Sequence, residues 1–175
     1  MSQPQVTIRV LSEHDSIQAL TALLHRAYAR LGDMGLNYTA VDQSPEVTVE
    51  RISRGTCYVA FIGSQLVGTI LVRPTHIDSE CPHYNRSGVS SVHQLAVAPE
   101  FQSAGIGSDL LSCAEAWARE NGFNELAMDT AEPATHLIEY YERRGYHRVG
   151  SVQWPGKTYR SVVLSKVLKA QPDIL

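Results

Sequence analysis

The sequence predicts an α/β fold with helices on both faces of a partly antiparallel sheet. Strand-like and helix-like segments follow one another in the order β-α-α-β-β-β-α-β-α-β-β. Two neighbouring pairs of strands are separated by short turns that contain Gly or Pro, which is typical of antiparallel hairpins. A mixed order of this kind indicates an α/β sheet with helices on both of its faces.

Length and composition are those of one globular domain. The chain has 175 residues, 43% hydrophobic and 19% charged, and its net charge of -3 gives no reason to expect binding to nucleic acid or membranes. Three widely spaced cysteines show no metal-ligand or disulfide pattern, so we expect no metal site. The first residues lack signal-peptide features and no apolar run reaches ~18 residues, so we expect a cytoplasmic protein. We expect one domain over residues 1–170 and a C-terminal tail over 171–175.

The first third of the chain predicts one strand and two helices. Residues 6–11 alternate as a strand does, and a helix follows that Asp15 or Ser16 caps and Gly32 ends. The apolar positions of that helix recur at helical spacing: Ile17, Leu20, Leu23, Leu24, Ala27 and Leu31. After a loop, Pro45 begins a second, short helix.

The middle of the chain predicts three strands. TCYVAFIG and QLVGTILVRP predict a hairpin with a turn at Gly63 and Ser64. A polar loop from Thr75 to about Gly88 precedes a third strand, VSSVHQLAV.

The last third predicts two helices and three strands. LAVAPEFQSAGIGSDLLSCAEAWARENG passes from the end of a strand through a Gly-rich turn into a helix. NELAMDTA predicts a strand, and a helix follows that Pro133 starts and Gly145 stops. YHRVGSVQW and YRSVVLSKVL close the chain as strands joined across Pro155 and Gly156.

The Gly-rich turn has the physical features of an anion site. Gly105 and Gly107 stand where the strand ends and the helix begins, and the first N–H groups of a helix have no partner inside it. The apolar stripe that aims this helix comprises Ile106, Leu110, Leu111, Ala114, Trp117 and Ala118. A tight turn that binds nothing fits the same glycines equally well. Two other phosphate motifs are excluded, because Leu110 replaces the third glycine of the dinucleotide fingerprint and no lysine follows Gly107 as in a Walker loop.

Two motifs resemble the signatures of the GNAT superfamily of N-acetyltransferases. LAVAPEFQSAGIG resembles the acyl-CoA-binding signature, in which Gln/Arg-x-x-Gly-x-Gly/Ala follows an apolar strand and a Pro. YERRGY, from Tyr141 to Tyr146, resembles the second signature, Tyr-Glu-x-x-Gly-Phe/Tyr, and the order of elements from Val6 to Leu168 also matches that family. The resemblance implies a mixed, mostly antiparallel twisted sheet of about seven strands, splayed between strands 4 and 5. It also implies acetyl-CoA as cosubstrate.

The same resemblance implies a set of cofactor contacts along the strand, the turn and the last helix. The residues implied are Leu95, Ala96, Val97, Gln102, Ser103, Ala104, Gly105, Ile106, Gly107, Ser108, Ala134, Tyr141 and Arg144. Gln102 can donate to a phosphate oxygen, although it lacks the charge of an arginine. Ala134 stands where the family often has Asn, which puts one side-chain contact in doubt. Arg119, Arg143 or Arg144 are candidates for the 3′-phosphate, with a solvated helix face as the alternative.

The implied reaction moves an acetyl group to a primary amine, so it needs a base for the ammonium proton and an acid for the thiolate. Tyr141 matches the family tyrosine that protonates the thiolate, although its place on an apolar helical stripe also fits a core aromatic. His93 resembles the histidine of the arylalkylamine branch and titrates in the right range for a base. The strand period puts it on one face with Ser91 and Leu95, where a structural histidine is the alternative. Other candidates for the base are Asp129, His83 and Glu80.

Two loops, 33–43 and 75–90, are the most suitable to contact the acceptor. Weak candidates for substrate binding are Tyr38, Asp42, Glu80 and His83. We expect a small-molecule amine acceptor, while amino acids, aminoglycosides, protein N-termini and lysines stay open. A non-catalytic sensor of acyl-CoA and an unrelated phosphate-binding scaffold are the competing functions. A homodimer is compatible with the resemblance, since family members often pair.

Overall fold

The structure is a computed structural model that describes residues 5–169, so the predicted tail at 171–175 lies outside the described residues. The strands are β1 (Val6–Val10), β2 (Thr56–Ile62), β3 (Gln65–Arg73), β4 (Val89–Val97), β5 (Glu125–Ala131), β6 (His147–Val152) and β7 (Ser161–Val167). The helices are α1 (Ile17–Asp33), α2 (Pro45–Ile52), α3 (Ile106–Glu120) and α4 (Thr135–Glu142), with 3-10 turns at Thr39–Val41 and Pro99–Phe101. No helix within residues 5–169 has the length and apolar character that crossing a membrane requires.

The seven strands form one mixed sheet in the order β1-β2-β3-β4-β5-β7-β6, with helices on both sides, as the sequence predicts. Antiparallel ladders join β1 to β2, β2 to β3, β5 to β7 and β6 to β7. Strands β4 and β5 are parallel, and their ladder covers Val89–Ser91 of β4 and Glu125–Ala127 of β5.

The described chain divides into two compact units, the first of which contains the chain up to Val72 and His93–Ala114. It therefore includes β1 to β3, α1, α2, the second half of β4 and the start of α3. Its core is a cluster of buried apolar residues: Leu20, Leu24, Ala40, Cys57, Val59, Leu71 and Ala96. Burying one leucine of such a cluster stabilises a fold by roughly 1.5–3 kcal/mol relative to leaving it exposed.

The second unit contains Arg73–Val92 and the chain from Glu115 onward. It includes the first residues of β4, strands β5 to β7 and α4. Its core has its own cluster, with Trp154 packed against it: Cys81, Tyr84, Val89, Ala127, Val152 and Val163. Strand β4 thus contributes residues to both units.

The N-terminal cap of α1 is Ser16, one of the two predicted candidates. Its hydroxyl accepts a hydrogen bond from the Ala19 N–H at 3.1 Å. Asp15, the other candidate, instead forms a salt bridge of 2.7 Å with Arg9 on β1. The hydrogen bond from Arg9, supported by the Ser12 N–H, holds the pKa of the Asp15 carboxyl well below its usual range. Asp15 therefore stabilises the loop between β1 and α1, and Ser16 caps the helix.

Two helix boundaries differ from the predicted ones. Helix α1 continues past Gly32 to Asp33, because Gly35, with a φ of +80°, is the residue that leaves the helical conformation. Helix α4 begins at Thr135 rather than at Pro133, which lies before the capping residue. The first prediction chose Gly32 instead of Gly35, and the second placed the start of α4 two residues too early.

Candidate active site

The predicted site residues fall into two groups, one in each compact unit. The first unit holds the end of β4 from His93, the Gly-rich turn and the start of α3, together with Tyr38 and Asp42. The second unit holds the other predicted residues: Tyr141, Ala134, Arg144, Asp129, Glu80 and His83.

The turn between β4 and α3 combines left-handed residues with a helix N-terminus. Ser103 has a φ of +68° and Gly105 a φ of +84°, and α3 begins at the next residue, Ile106. A Cβ at position 105 would meet no atom within 4 Å, so the backbone conformation rather than space favours glycine there. Turns that mix left- and right-handed residues direct successive N–H groups to one side and form concave anion sites.

The first N–H groups of α3 extend this anion site. The Asp109 N–H donates to the Gly105 carbonyl oxygen at 3.0 Å, which closes the first turn. The N–H groups of Ile106, Gly107 and Ser108 precede that bond, so they face outward at the positive end of the helix dipole. Residues 102–105 are exposed. The backbone of this turn therefore suits a phosphate or pyrophosphate group.

The position of α3 depends on Gly68, which the sequence analysis did not single out. A Cβ on Gly68 of β3 would lie 2.9 Å from Leu110 Cδ1 and 3.2 Å from Ile106 Cγ2. Both of these α3 side chains are fully buried. Because only glycine permits so close an approach, Gly68 lets the first turn of α3 pack directly on β3 and fixes the direction of its N–H groups.

Side chains already contact two of the β4 carbonyls that are predicted to line the pantetheine arm. The Tyr28 hydroxyl of α1 donates to the Leu95 carbonyl oxygen at 3.1 Å. The Gln102 amide donates to the Val97 carbonyl oxygen at 3.2 Å, so in this structure it ties the turn to the strand. Each carbonyl oxygen has a second lone pair for a further donor. The predicted role of Gln102 toward phosphate stays a prediction.

Strand β4 contains a conformational break beside the predicted base. His93 is half-buried, and the next residue, Gln94, has a φ of +54° although it is not glycine. A left-handed residue turns the chain out of the regular pleat. Burial still alternates across this residue, since His93, Leu95 and Val97 are half-buried while Gln94 and Ala96 are buried.

The weak acceptor candidates of the first unit lie beside α1. Tyr38 precedes the 3-10 turn at Thr39–Val41, and its ring centroid lies 5.5 Å from that of Tyr28. Asp42 ends the same turn and is exposed. Tyr28 therefore joins the Tyr38 ring to the β4 backbone. Tyr28 is not predicted from the sequence, because it lies beside, not on, the apolar stripe of α1.

Tyr141 lies on α4 in the second unit. The residue is 9% exposed, and its ring lies 5.4 Å from the ring of Tyr140 and 6.2 Å from that of Tyr146. Burial and the negative charge of Glu115, which accepts from the Tyr146 hydroxyl, raise the pKa of Tyr146. Tyr146 is thus an anchored core residue, while the role of Tyr141 as the acid stays a prediction.

The residues around Tyr141 show what α4 can offer a cofactor. Ala134 is fully buried and caps α4 without a side-chain hydrogen bond. The Arg144 guanidinium lies 3.5 Å above the Tyr140 ring and donates to the Tyr140 carbonyl oxygen, while its buried Nε has no hydrogen-bond partner among residues 5–169. Arg143 is exposed and lies 3.6 Å from Glu139, and Arg119 donates to the Lys169 carbonyl oxygen.

Asp129 is held between two aromatic side chains. Its carboxylate oxygens accept from the Tyr84 hydroxyl at 2.6 Å and from the Trp154 indole N–H at 2.8 Å. Burial, followed by the negative charge of Asp129, raises the pKa of Tyr84 well above its usual value, so Tyr84 remains a donor. These bonds fasten the loop before β4 and the β6–β7 loop to β5.

The remaining candidates for the base differ in their surroundings. His83 Nε2 lies 3.0 Å from Glu125 Oε2, and Arg86 Nη1 lies 3.2 Å from His83 Nδ1. Both ring nitrogens of His83 therefore have close partners within the loop and β5. Glu80 is exposed on the same loop.

Comparison with known proteins gives a family and a relative that matches along most of the chain. A sequence profile of the acetyltransferase (GNAT) family matches residues 18–146. The chain is 29% identical over 167 residues to S-(2-succino)cysteine N-acetyltransferase of Bacillus subtilis, and the match covers 92% of this chain and 95% of the relative.

Solved structures share the fold at lower identity. The protein PH1933 of Pyrococcus horikoshii has a TM-score of 0.73 at 20% identity, covering 94% of this chain and 99% of that chain. A GNAT family acetyltransferase of Elizabethkingia anophelis with acetyl-CoA bound has a TM-score of 0.67 at 18% identity, covering 95% and 100%. Together with the two motifs and the exposed turn, the family match shows that this chain belongs to the GNAT family of acetyltransferases and is an N-acetyltransferase with acetyl-CoA as cosubstrate.

Proposed function

We propose that the enzyme acetylates a primary amine of a small molecule by direct attack on acetyl-CoA in a ternary complex. The exposed Gly-rich turn at the start of α3 carries this proposal, because its outward N–H groups suit the pyrophosphate of the cosubstrate. The name of the Bacillus subtilis relative supports a small acceptor with an amino-acid amine. S-(2-succino)cysteine is therefore the first acceptor to test.

In this proposal the first unit binds the cosubstrate through its backbone. The turn from Gln102 to Ser108 binds the pyrophosphate, and the backbone of Leu95, Ala96 and Val97 lines the pantetheine arm. Backbone N–H groups supply fixed partial charges that do not depend on pH. The family resemblance makes Arg144 of α4 the proposed cation for the 3′-phosphate, and its guanidinium is held 3.5 Å above the Tyr140 ring.

The proposed chemistry needs two proton transfers. His93 accepts a proton from the acceptor ammonium, directly or through water, because only the neutral amine attacks a thioester. The amine nitrogen then bonds to the thioester carbon, and the C–S bond breaks with its electron pair on sulfur. Tyr141 gives its phenolic proton to the thiolate, so that CoA leaves as the thiol. The attacking nitrogen loses its second proton as the amide forms, and this proton, passed through water, restores the Tyr141 phenol.

Calorimetric titration of the full chain with acetyl-CoA tests the cosubstrate site. We expect wild type to bind and Gly107→Glu to lose most of that affinity, because a carboxylate beside the turn repels phosphate. Gly150→Glu is the matched control, since a Cβ at this exposed β6 position meets no atom within 4 Å. Absence of binding to wild type would overturn the proposal, and equal loss in both variants would move the site elsewhere.

Thiol release from acetyl-CoA tests the acceptor. We would compare S-(2-succino)cysteine, an arylalkylamine, a polyamine, an aminoglycoside and a peptide with a free N-terminus. We expect S-(2-succino)cysteine and the arylalkylamine to give a higher kcat/KM than the peptide. A peptide that is preferred over every small amine would replace the small-molecule acceptor with a protein N-terminus or lysine.

A further inference from the structure

A buried polar network in the first unit ends at the conformational break of β4. Gln43, Thr48, Thr21 and Gln94 are all less than 8% exposed, yet their side chains contact one another rather than solvent. Buried amides and hydroxyls are retained only when their hydrogen-bonding groups are paired. Neither the acetyl-CoA site nor the proposed proton transfers use these residues.

Gln43 is the centre of this network. Its Nε2 donates to Thr48 Oγ1 at 2.7 Å and to Gln94 Oε1 at 3.0 Å, and its Oε1 accepts from Arg51 Nη1 at 3.3 Å. An arginine can only donate, so Arg51 fixes which end of the Gln43 amide faces Gln94. Both amide protons of Gln43 are thereby used.

The network is anchored on α1 and α2 of the first unit. Thr48 of α2 lies 2.7 Å from the Thr21 hydroxyl of α1. His25 Nε2 of α1 lies 2.7 Å from the Gln43 carbonyl oxygen, which fixes the Gln43 backbone as well. The position of the Gln94 side chain is therefore set by α1, α2 and the loop between them.

Gln94 needs such support because its backbone is in an unfavourable conformation. A φ of +54° is uncommon for a residue with a side chain and persists where the surroundings impose it. The hydrogen bond from Gln43 holds the Gln94 side chain inside the fold, and this restricts the rotation that would restore an ordinary strand. The neighbours of Gln94 are His93, the proposed base, and Leu95, a proposed contact of the pantetheine arm.

We propose that Gln43 and Gln94 are positioning residues: their buried amide pair fixes the break in β4 and thereby the direction of the His93 side chain and the Leu95 peptide. This inference rests on the proposed function for its effect on turnover. The Gly-rich turn, which binds phosphate in that proposal, lies outside the network. Loss of the pair is therefore expected to lower kcat while leaving the affinity for CoA itself nearly unchanged.

The relative kcat of two variants at position 94 distinguishes a positioning role from a general loss of stability. Gln94→Gly removes the amide but adopts a positive φ freely, whereas Gln94→Ala removes the amide and resists that φ. At a regular strand position, glycine is the more disruptive of the two. We expect the reverse here, with kcat reduced about 10-fold by Gly and about 100-fold by Ala.

Two substitutions away from β4 test the network itself. Gln43→Met and Thr48→Val remove its polar groups at similar volume, and we expect each to lower kcat about 10-fold with the dissociation constant for CoA within about 2-fold of wild type. Thr48→Ser keeps the hydroxyl and should restore most of the rate. Thr69→Val is the matched control, because Thr69 is a buried β3 threonine whose hydroxyl donates to the Tyr58 carbonyl oxygen outside the network.

Backbone amide signals in NMR spectra give a readout that needs neither acceptor nor cosubstrate. We expect Gln43→Met to shift the His93 and Leu95 amides and Thr69→Val to leave them in place. Unmoved signals with unchanged kcat in Gln43→Met, or a higher rate for Gln94→Ala than for Gln94→Gly, would overturn the inference. A wild type that binds no CoA defeats the proposed function instead, and the amide signals then still decide whether the network fixes β4.

Discussion

At the residue scale, the hydroxyl of Tyr141 is the group whose loss most directly tests the acid. Tyr141→Phe keeps the ring, which packs against Tyr140 and Tyr146, and removes only the proton donor. We expect kcat to fall about 10–1000-fold while the affinity for acetyl-CoA stays nearly intact. Single-turnover thiol release and calorimetric titration measure the two quantities separately.

Tyr140→Phe is the control for this change, since it removes the neighbouring hydroxyl and leaves the ring that Arg144 covers. We expect its kcat to stay close to that of wild type. An unchanged kcat in Tyr141→Phe would remove Tyr141 from the mechanism and leave it as a core aromatic of α4.

The base is tested by the pH dependence of His93→Ala. An ordinary histidine titrates near pH 6.5, and only its neutral form accepts a proton. In wild type kcat/KM should therefore rise with pH between about 6 and 7, and the variant should lose this ascending limb. His14→Ala, whose side chain is 88% exposed, should keep the limb. A limb that persists in His93→Ala transfers the role to another group.

At the scale of elements, Glu125 joins a loop and two strands of the second unit. Its carboxylate accepts from the Ser165 hydroxyl of β7 at 2.9 Å and lies 3.0 Å from His83 Nε2. Burial alone raises the pKa of Glu125, but the hydrogen bonds from Ser165 and His83 and the charge of Arg86 lower it below its ordinary value of 4.5. A carboxyl with a depressed pKa stabilises the fold above its unfolded-state value and loses that contribution as the pH falls through the folded value.

Glu125→Gln should therefore make the free energy of unfolding depend less on pH in the acid range. We expect the free energy of unfolding, measured with urea, to fall less between about pH 7 and about pH 3.5 in the variant than in wild type. Glu139→Gln replaces an exposed carboxylate that pairs across one helix turn with Arg143, and it serves as the control. Equal pH dependence in wild type and Glu125→Gln would contradict the prediction.

The order of elements could be predicted from the sequence because the spacing of apolar residues and the positions of Gly and Pro agree along the chain. The hairpin turn at Gly63 and the strand Val89–Val97 are at the predicted residues, since alternation and turn chemistry point the same way there. Helix ends were harder to predict. Gly32 does not end α1 but permits close packing, since a Cβ there would lie 2.9 Å from the Val41 side chain. A local pattern does not distinguish a glycine that permits packing from one that ends a helix.

The candidate site was predictable only where its chemistry lies in contiguous residues. The turn from Gln102 to Ser108 follows from a short motif, and Ser103 and Gly105 indeed have the left-handed backbone that such a turn uses. Gly68, Tyr28 and the Gln43–Gln94 pair act on β4 and α3 through residues 28 to 67 positions away in the chain. Hydrogen bonds of this range follow from the tertiary fold, which periodicity does not specify.

At the scale of the whole molecule, β4 belongs to both compact units, and this supports the proposal that residues 1–170 act as one domain. If so, calorimetry should show a single unfolding transition that CoA shifts as a whole. At a CoA concentration of about 100 times its dissociation constant, binding adds roughly 2.7 kcal/mol, which raises Tm by about 5–10 °C for a chain of this length.

The Gly107→Glu variant should unfold in the same single transition and show almost no shift with CoA, while Gly150→Glu should shift as wild type does. Two transitions, of which CoA moves only one, would contradict the single domain. The free energy of CoA binding at the turn would then not stabilise the residues that follow Glu115. The other outcome is a single transition whose Tm rises with CoA in wild type and stays fixed in Gly107→Glu. It would show that CoA bound at the seven-residue turn from Gln102 to Ser108 stabilises the chain as one cooperative unit.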